Sequence, residues 1–405
     1  MKTNKWGVAA IAGGAALVLV GCAGGGSGDS PDQSLTVLIA ASGDAEADAV
    51  NAAAAAFTEQ SGIDVDVVLA NNLNEQLSQG FAGDDPPDLF YMGWDQFQTY
   101  AGNGYLEPYA GDLSNAGDFF PGLVDTFSYD GEFVCAPKDF STLGLIINTD
   151  LWAAAGLTDA DIPTDWDSLT AAATALTTSE TVGLSFGLEY ARLGVFMNQA
   201  GGTIVDGDTI AADSAENIEG LEYVRSLYDA GVLRFPSEID AGWGGEALGA
   251  GKAAMVIEGP WIKGIAGDFP DTNYAAYELP AGPGGPSTYS FTNCWGLPQG
   301  AATTDAAVEF VEFLTSDEQQ VEFGDAFGVI PSTRDAAATY AEKHPENAAF
   351  VAGAEYAVSP ANFDGSAAVV AEFNARLADF GNADFAAILA DFQAQLEAAY
   401  AEANG

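Results

Sequence analysis

The chain has 405 residues, more than one hydrophobic core usually supports, so we expect it to fold as two lobes. Hydrophobic residues make up 48% of it and aromatic residues 11%, which is typical of a globular protein and excludes a disordered one. The 59 acidic and 11 basic residues give a formal net charge of −48; such a surface repels nucleic acid and anionic lipid, so we expect neither as a partner.

The N-terminal segment predicts export and attachment to a membrane surface. Lys2 and Lys5 precede the apolar stretch WGVAAIAGGAALVLV, which is short and rich in glycine for a membrane span. The stretch ends in LVGC, which resembles the bacterial lipobox, so we expect a signal peptide over 1–21 and a lipid on Cys22. Residues 22–34 then form a flexible tether. These features predict a protein anchored through Cys22 on the extracellular face of a bacterial cell membrane.

Two further cysteines, Cys135 and Cys294, remain in the exported part of the chain. They either form a disulfide or stay as two free thiols. Compartments outside the cytoplasm favour the disulfide. A bond between them would bring two distant segments of the chain together.

Strand and helix patterns alternate from residue 35 onward. The apolar run LTVLIAA (35–41) is typical of a strand buried on both faces, and IDVDVVLA and PPDLFYMG (86–93) predict two more strands. Helical spacing separates and follows these strands; the predicted helices are 44–60, 71–80 and 95–103. This order predicts an α/β lobe with a mostly parallel sheet.

The second half of the chain continues the alternation and then becomes helical. Strands are predicted for 132–138, 143–148, the segment VGLSFGLEY and 253–257; helices are predicted near 150–155 and over 165–178 and 214–230. Thr164, with Asp167 three residues later, is the predicted cap of the helix over 165–178. Helices predominate after Asp305, and the chain has no internal repeat.

Catalytic motifs find little support in the sequence. His344 is the only histidine, which argues against a histidine-based triad and against a zinc site. The chain lacks G-x-S-x-G, a P-loop and G-x-G-x-x-G after a strand. With 59 acidic residues, an apparent pair of glycosidase carboxylates carries no weight. We therefore predict a protein that is not an enzyme and has no cofactor, no metal site and no catalytic residue.

Aromatic residues beside polar ones recur at the predicted ends of strands. In open α/β sheets ligands bind at the carboxyl ends of strands, so these positions could converge on one cleft. A sugar offers an apolar ring face to an aromatic plane and a rim of hydroxyls to carboxylates and amides. The residues of this pattern are Trp94, Asp95, Asp139, Ser141, Glu189, Trp243, Trp261, Trp295 and Phe363. As a set they predict a carbohydrate-binding cleft.

Several longer segments resemble the extracellular solute-binding proteins of ABC importers, in particular the sugar-binding group that includes maltose-binding protein. The resemblance covers about 35–400 and rests on five segments: GDDPPDLFYMGWDQFQTYAGNGYLEPY (83–109), FVCAPKDFSTLGLIINTDLWAAAGL (133–157), PTDWDSLTAAATAL (163–176), ALGAGKAAMVIEGPW (247–261) and NCWGLPQGAATTDAAVEFVEFLTS (293–316). It implies a two-lobe α/β fold of the type II periplasmic-binding-protein kind, whose hinge strands let the lobes close on a ligand.

The resemblance also implies where the lobes begin and end. The expected crossings between lobes fall near Lys138–Thr142, near Asn293–Trp295 and after the segment VIPST, which places Cys135 and Cys294 beside two hinge strands. The predicted organisation is a signal peptide (1–21), a tether (22–34), a first lobe (35–139 plus 295–335) and a helix-rich second lobe (140–294 plus 336–405).

Site residues follow from the same resemblance, position by position. Trp261, the aromatic residue after Gly-Pro, is the first choice for the platform on which a sugar stacks, and Ser42 and Asp44 match a loop that hydrogen-bonds sugar hydroxyls. The other implied positions are Trp94, Asp95, Asp139, Ser141, Glu189, Trp295 and Phe363. Met92, Gln96 and Ser141 differ from the residues of maltose-binding protein, so the resemblance implies the sugar class and not maltose itself.

The expected function is capture of a di- or oligosaccharide, with an α-glucoside favoured, by a monomer that delivers it to the membrane subunits of an ABC permease. Two alternatives stay open. The same fold could bind a non-sugar solute such as a polyamine, which the negative charge would suit. A lipid-anchored glycoside hydrolase would need two carboxylates on either side of one glycosidic bond.

Overall fold

A computed structural model describes residues 34–41, 43–207, 209–363 and 365–403. The described residues form one compact unit. The predicted signal peptide, Cys22 and almost all of the predicted tether lie outside the described residues. Within them, no helix combines the length and apolar character that crossing a membrane requires.

The strands, in chain order, are β1 (Ser34–Ile39), β2 (Asp64–Leu69), β3 (Leu89–Gly93), β4 (Ser128–Tyr129), β5 (Glu132–Phe133), β6 (Ala136–Thr142), β7 (Gly144–Asn148), β8 (Val182–Ser185), β9 (Val205–Asp206), β10 (Thr209–Ile210), β11 (Ala253–Glu258), β12 (Tyr274–Tyr277), β13 (Thr288–Gly296) and β14 (Ala357–Val358).

The α-helices are α1 (Asp44–Ser61), α2 (Leu73–Ala82), α3 (Trp94–Gly102), α4 (Pro121–Thr126), α5 (Thr149–Ala154), α6 (Trp166–Leu176), α7 (Tyr190–Gln199), α8 (Ala215–Asp229), α9 (Gly244–Gly249), α10 (Thr304–Leu314), α11 (Asp317–Phe327), α12 (Arg334–Lys343), α13 (Ala348–Gly353), α14 (Ser366–Arg376) and α15 (Phe385–Ala403). A 3₁₀ segment, Pro260–Gly267, follows β11.

The strands form two main sheets. The first has the order β14-β13-β3-β1-β2, and β6 pairs with β13 as well; β2 and β3 run parallel to β1, whereas β13 runs antiparallel to β3 and to β6. The second has the order β12-β7-β11-β8, in which only β11 and β8 are parallel. The predicted parallel pairing therefore holds around β1, while both sheets are mixed.

Both sheets carry a hydrophobic core on each face. In β1, Leu35 and Val37 lie in one core and Leu38 in another. In β7, Leu145 and Ile147 lie in one core and Ile146 in another. Side chains of a strand alternate between its two faces, so a continuous apolar run is what a sheet covered by helices on both sides requires.

The chain passes from the first sheet to the second between Thr142 and Gly144, where the sequence predicted a crossing. It returns between the end of β12 and the start of β13. This return precedes the crossing predicted near Asn293–Trp295, because β13 pairs with strands of the first sheet along its whole length.

Cys135 and Cys294 form a disulfide, which confirms that alternative. Their Cα atoms are 5.6 Å apart, and both residues are buried in the core beneath β3 and α3. The bond ties the chain just before β6 to β13, the two strands that lie beside the passage between the sheets.

Replacing both Cys135 and Cys294 by alanine is expected to lower the free energy of unfolding by about 2–5 kcal/mol, because an open chain has more conformations in the unfolded state. Chemical denaturation in the presence and absence of a thiol reductant measures this. Reductant should shift the parent protein's transition and leave that of the double variant where it is. An unfolding midpoint that is the same for parent and variant would show that the bond adds nothing to stability.

Local capping differs from the sequence prediction at α6. Asp165, and not Thr164, is the N-cap: its carboxylate accepts a hydrogen bond from the backbone N–H of Ser168 at 2.8 Å. Ser168 Oγ in turn accepts from the backbone N–H of Asp165 at 3.0 Å, which completes a capping box. The predicted strand 132–138 is also divided, since β5 ends at Phe133 and β6 begins at Ala136.

Candidate functional site

Three aromatic side chains from both sheets meet beside β13. The Trp94 and Phe291 ring centroids are 6.5 Å apart, and those of Phe291 and Trp261 are 6.3 Å apart. Trp94 is the first residue of α3, directly after β3 of the first sheet, and Trp261 follows β11 of the second sheet. Phe291 lies on β13 between them. The row places an aromatic face from each sheet at a common cleft.

Trp261 presents its indole ring to solvent in a fixed orientation. The residue is 38% exposed, although the strand that precedes it is buried along its length. Its indole N–H donates to Glu258 Oε2 at 2.9 Å. A Cβ on Gly259 would lie 2.2 Å from the six-membered ring, so only glycine leaves room for the ring there. The geometry therefore leaves an aromatic face exposed and holds the N–H inward.

A charged network backs this ring. Glu258, the last residue of β11, is only 2% exposed, and its Oε2 accepts from Arg192 Nη2 at 2.7 Å. Arg192 Nη1 donates to Glu189 Oε1 at 2.6 Å, and its guanidinium carbon is 5.8 Å from the Trp261 ring centroid. The Glu189 side chain is 44% exposed. Glu189 therefore offers the cleft a carboxylate that Arg192 holds in place.

Trp243 is a second exposed tryptophan next to the same network. It is 37% exposed and is the N-cap of α9. A Cβ on Gly245 would lie 2.1 Å from its ring, so the ring lies directly over that residue. A Cβ on Gly244 would lie 2.6 Å from Glu258 Oε1, so the carboxylate that receives the Trp261 N–H also lies against the start of α9. The backbone that follows Trp243 thus lies against the same buried acid that bonds to Trp261.

The first sheet contributes polar groups opposite these tryptophans. Asp95 follows Trp94 at the start of α3, and partial burial raises the pKa of its carboxyl. A Cβ on Gly93 would lie 2.5 Å from Asp95 Oδ1 and 3.6 Å from Asn293 Oδ1, so the carboxylate folds back toward β13. Asn362 Nδ2 donates to the Trp94 carbonyl oxygen at 3.2 Å.

The other predicted positions lie in varied surroundings. Ser141 is half-buried on β6 and pairs in register with Phe291, so it lies beside the aromatic row. Phe363 is half-buried and packs edge-on against Tyr400, with ring centroids 5.1 Å apart. Asp44 is exposed in the first turn of α1. Ser42 lies outside the described residues.

The structure contradicts the prediction that Trp295 is a ligand-binding residue. It is 1% exposed, and its ring packs edge-on against Tyr91 at a centroid distance of 4.9 Å in the core beneath α1. Its side chain lies in the hydrophobic core and does not reach the cleft. The Tyr109 hydroxyl donates to its carbonyl oxygen at 2.6 Å, which further fixes this part of β13.

Asp139 also differs from the prediction, because it belongs to a buried ion cluster. It is 7% exposed and bonds to Lys138 Nζ, which donates to Glu46 Oε1 at 3.0 Å as well. The Tyr91 hydroxyl donates to the same Glu46 oxygen at 3.0 Å. Burial by itself would lower the pKa of Lys138, but the charges of Asp139 and Glu46 help to hold it above its ordinary value, so the cluster keeps its cation. Lys138 therefore joins β6 to α1, and Asp139, bonded to that lysine, does not present a free carboxylate to the cleft.

Glu258 and Phe291 were not among the residues predicted from the sequence. Glu258 ends an apolar strand and lies next to Trp261, but its burial becomes apparent only with Arg192, which is distant in sequence. Phe291 lies two residues before the crossing predicted near Asn293–Trp295, and nothing in the sequence there distinguishes a cleft residue from a core residue. The alternation of half-buried Phe291 and Asn293 along β13 is the signal that a strand register would have supplied.

A cavity of about 870 Å³ lies beside the cleft. It is lined by α3, α4 and the end of α7, together with the segment 356–363, so Asn362 and Phe363 border it. Its lining does not include Trp243 or Trp261. Among the described residues, no group of three or more histidine, cysteine, aspartate or glutamate side chains is arranged to hold a metal ion.

The chain belongs to the bacterial extracellular solute-binding protein family. The model of that family matches residues 52–351, a span that includes β3, α7, β11 and β13, the elements that form the cleft.

Solved structures show the same fold. The cyclic α-maltosyl-1,6-maltose binding protein from Arthrobacter globiformis is similar with a TM-score of 0.80 and 23% identity, over 92% of this chain and 99% of that one. The sugar-binding protein MalE from Xanthomonas citri gives 0.78 and 21%, over 91% and 98%. The GacH receptor of Streptomyces glaucescens, solved also with acarbose, gives 0.74 and 21%, over 90% and 99%. The predicted two-lobe type II periplasmic-binding-protein fold is confirmed, with one lobe around each sheet.

Proposed function

We propose that the protein captures a di- or oligosaccharide, with an α-glucoside favoured, and delivers it to an ABC permease while anchored through Cys22. The observation that carries this proposal is the exposed Trp261 face, held beside Arg192 and Glu189 and facing the same cleft as Trp94. An aromatic plane next to charged hydrogen-bonding groups suits a pyranose, which has an apolar face and a hydroxyl rim. Proteins of the same fold bind cyclic maltosyl-maltose and acarbose.

Capture proceeds by closure of the two lobes. The ligand contacts Trp261 and Glu189 from the second lobe and Trp94 and Asp95 from the first, so it favours the closed state over the open one. The passages between the sheets, at 142–144 and ahead of β13, are where the backbone turns during closure. Micromolar affinity, about −8 kcal/mol, would suit reversible capture followed by release to a permease.

A thermal-shift screen tests the proposal. A soluble form that begins at Ala23 is heated with mono-, di- and trisaccharides and with spermidine. A sugar present at 100 times its Kd adds about 2.7 kcal/mol of stability, so we expect a rise of several degrees in Tm with at least one α-glucoside. Spermidine should give no rise.

Two outcomes would contradict the proposal. A rise with spermidine and none with any sugar would keep the family and replace the ligand class. Release of reducing ends from an oligosaccharide during prolonged incubation would indicate a hydrolase, since a binding protein returns its ligand unchanged.

A further inference from the structure

We propose that Glu258 and Arg192 are positioning residues that set the orientation of the Trp261 ring and thereby the affinity of the cleft for a sugar. This inference rests on the proposed function. Neither residue has to touch the ligand for the effect: the pair acts through the tryptophan.

The first support is the position of Glu258. It ends a strand in which every residue is buried, and its own side chain is 3% exposed. A carboxylate in such a place is unfavourable unless hydrogen bonds and a counter-charge compensate for lost water. In the described part of the chain, both hydrogen bonds to this carboxylate come from the site, one from the Trp261 indole and one from Arg192.

The second support is that both bonds converge on a single oxygen. Trp261 Nε1 and Arg192 Nη2 donate to Oε2 at 2.9 Å and 2.7 Å. The other oxygen, Oε1, lies where a Cβ on Gly244 would be only 2.6 Å away. The carboxylate is thus confined between α9 and Arg192, and its Oε2 defines one direction for the indole N–H.

The third support is the opposite end of Arg192. Arg192 lies on α7, and its Nη1 donates to Glu189 at the start of the same helix. Its Nη2 donates to Glu258 on β11, so the guanidinium links α7 to β11, and the Arg192 side chain is only 13% exposed. Its guanidinium carbon also lies 5.8 Å from the Trp261 ring centroid. Arg192 therefore prevents Glu258 from rotating away and restricts the ring itself. A ring that is already oriented loses less conformational freedom when a ligand stacks on it.

The experiment compares Glu258→Gln, Glu258→Ala and Arg192→Met with the parent, each in the soluble form that begins at Ala23 and each also combined with Trp261→Ala. Glutamine keeps an oxygen that can accept the indole N–H, so it should retain most of the affinity. Alanine removes the acceptor. Glu246→Gln is the matched control, because Glu246 is a half-buried acid on α9 whose carboxylate bonds to the Gly242 backbone and not to Trp261.

Two readouts are taken. The first needs no ligand: ¹⁹F NMR of protein labelled with 5-fluorotryptophan, in which Trp261→Phe assigns the Trp261 resonance. Glu258→Ala and Arg192→Met should shift or broaden that resonance, whereas Glu246→Gln should leave it unchanged.

The second readout is calorimetric titration with maltotriose. Glu258→Ala should raise Kd by about 10-fold or more in the parent and have almost no further effect in the Trp261→Ala background.

The Glu258→Gln variant and the unliganded Tm of each variant distinguish a loss of positioning from a general loss of structure. The inference is overturned if the Trp261 resonance is the same in parent, Glu258→Ala and Arg192→Met. It is also overturned if Glu258→Ala weakens binding equally with and without Trp261, since the residue would then act independently of the ring. If the parent does not bind maltotriose, the proposed function fails for that sugar, and the fluorine resonance alone decides the positioning role.

Discussion

Replacing Trp261 by alanine is expected to raise the Kd for a bound sugar by roughly 30-fold or more, equivalent to about 2 kcal/mol, the loss typical of an aromatic anchor in an interface. The reason is the loss of the exposed ring face together with the surface it shields around Arg192 and Glu189. Calorimetric titration with the best ligand of the screen measures it. The unliganded Tm is measured as well, since the substitution also removes one of the two hydrogen bonds to the buried Glu258 carboxylate.

Two variants control that result. Trp261→Phe keeps an aromatic face but loses the N–H that bonds to Glu258, so its affinity should fall between those of parent and alanine variant. Tyr105→Ala removes a side chain of similar exposure, 41%, that stacks on Phe81 in the first lobe. It should leave the affinity unchanged. An unaltered Kd in Trp261→Ala would mean that the ligand lies elsewhere, for which the cavity beside segment 356–363 is the next place to test.

Replacing Lys138 by methionine is expected to destabilise the protein by about 3–5 kcal/mol, because removal of one partner leaves buried charge uncompensated. Glu46 and Asp139 both bond to this lysine, and all three residues are under 10% exposed. Without the cation the two carboxylates face each other in the interior. Chemical denaturation of the unliganded variant and of the parent measures the change in free energy of unfolding.

The matched control is Lys343→Met. Lys343 also pairs with an aspartate, Asp325 at 2.9 Å, but both side chains are more than 40% exposed. An exposed ion pair contributes about 0–1 kcal/mol, so this variant should remain close to the parent. Equal destabilisation by the two substitutions would show that burial of the cluster around Lys138 does not determine its contribution.

The secondary structure could be predicted from the sequence wherever burial follows a simple period. The apolar runs that form β7 and β11 are continuous because each of these strands is covered on both faces, and both strands, like β1, were located within one or two residues. The first residue of a helix was harder to predict. The N-cap of α6 was displaced by one residue, since Thr164 and Asp165 are both residues that favour capping.

The site was predicted only in part, because a tryptophan near a strand end can be exposed at the cleft or buried in the core. Trp261 and Trp295 both follow short polar or glycine-containing segments, yet one is 38% and the other 1% exposed. In a regular strand, Trp295 would share a face with Phe291 and Asn293. The register between β13 and β6 shifts between Asn293 and Cys294, which interrupts that alternation. A register shift depends on the partner strand and cannot be inferred from β13 alone.

The disulfide has a consequence for how the protein responds to a protease. All strands of the second sheet, from Gly144 to Tyr277, lie between Cys135 and Cys294, which are 159 residues apart in the chain. With the bond intact, the segment that carries these strands is a covalently closed loop, and α14 and α15, which pack on the same core, follow it in the chain. A single cut anywhere within this loop therefore leaves one covalent molecule, which separates into two fragments only after the disulfide has been reduced.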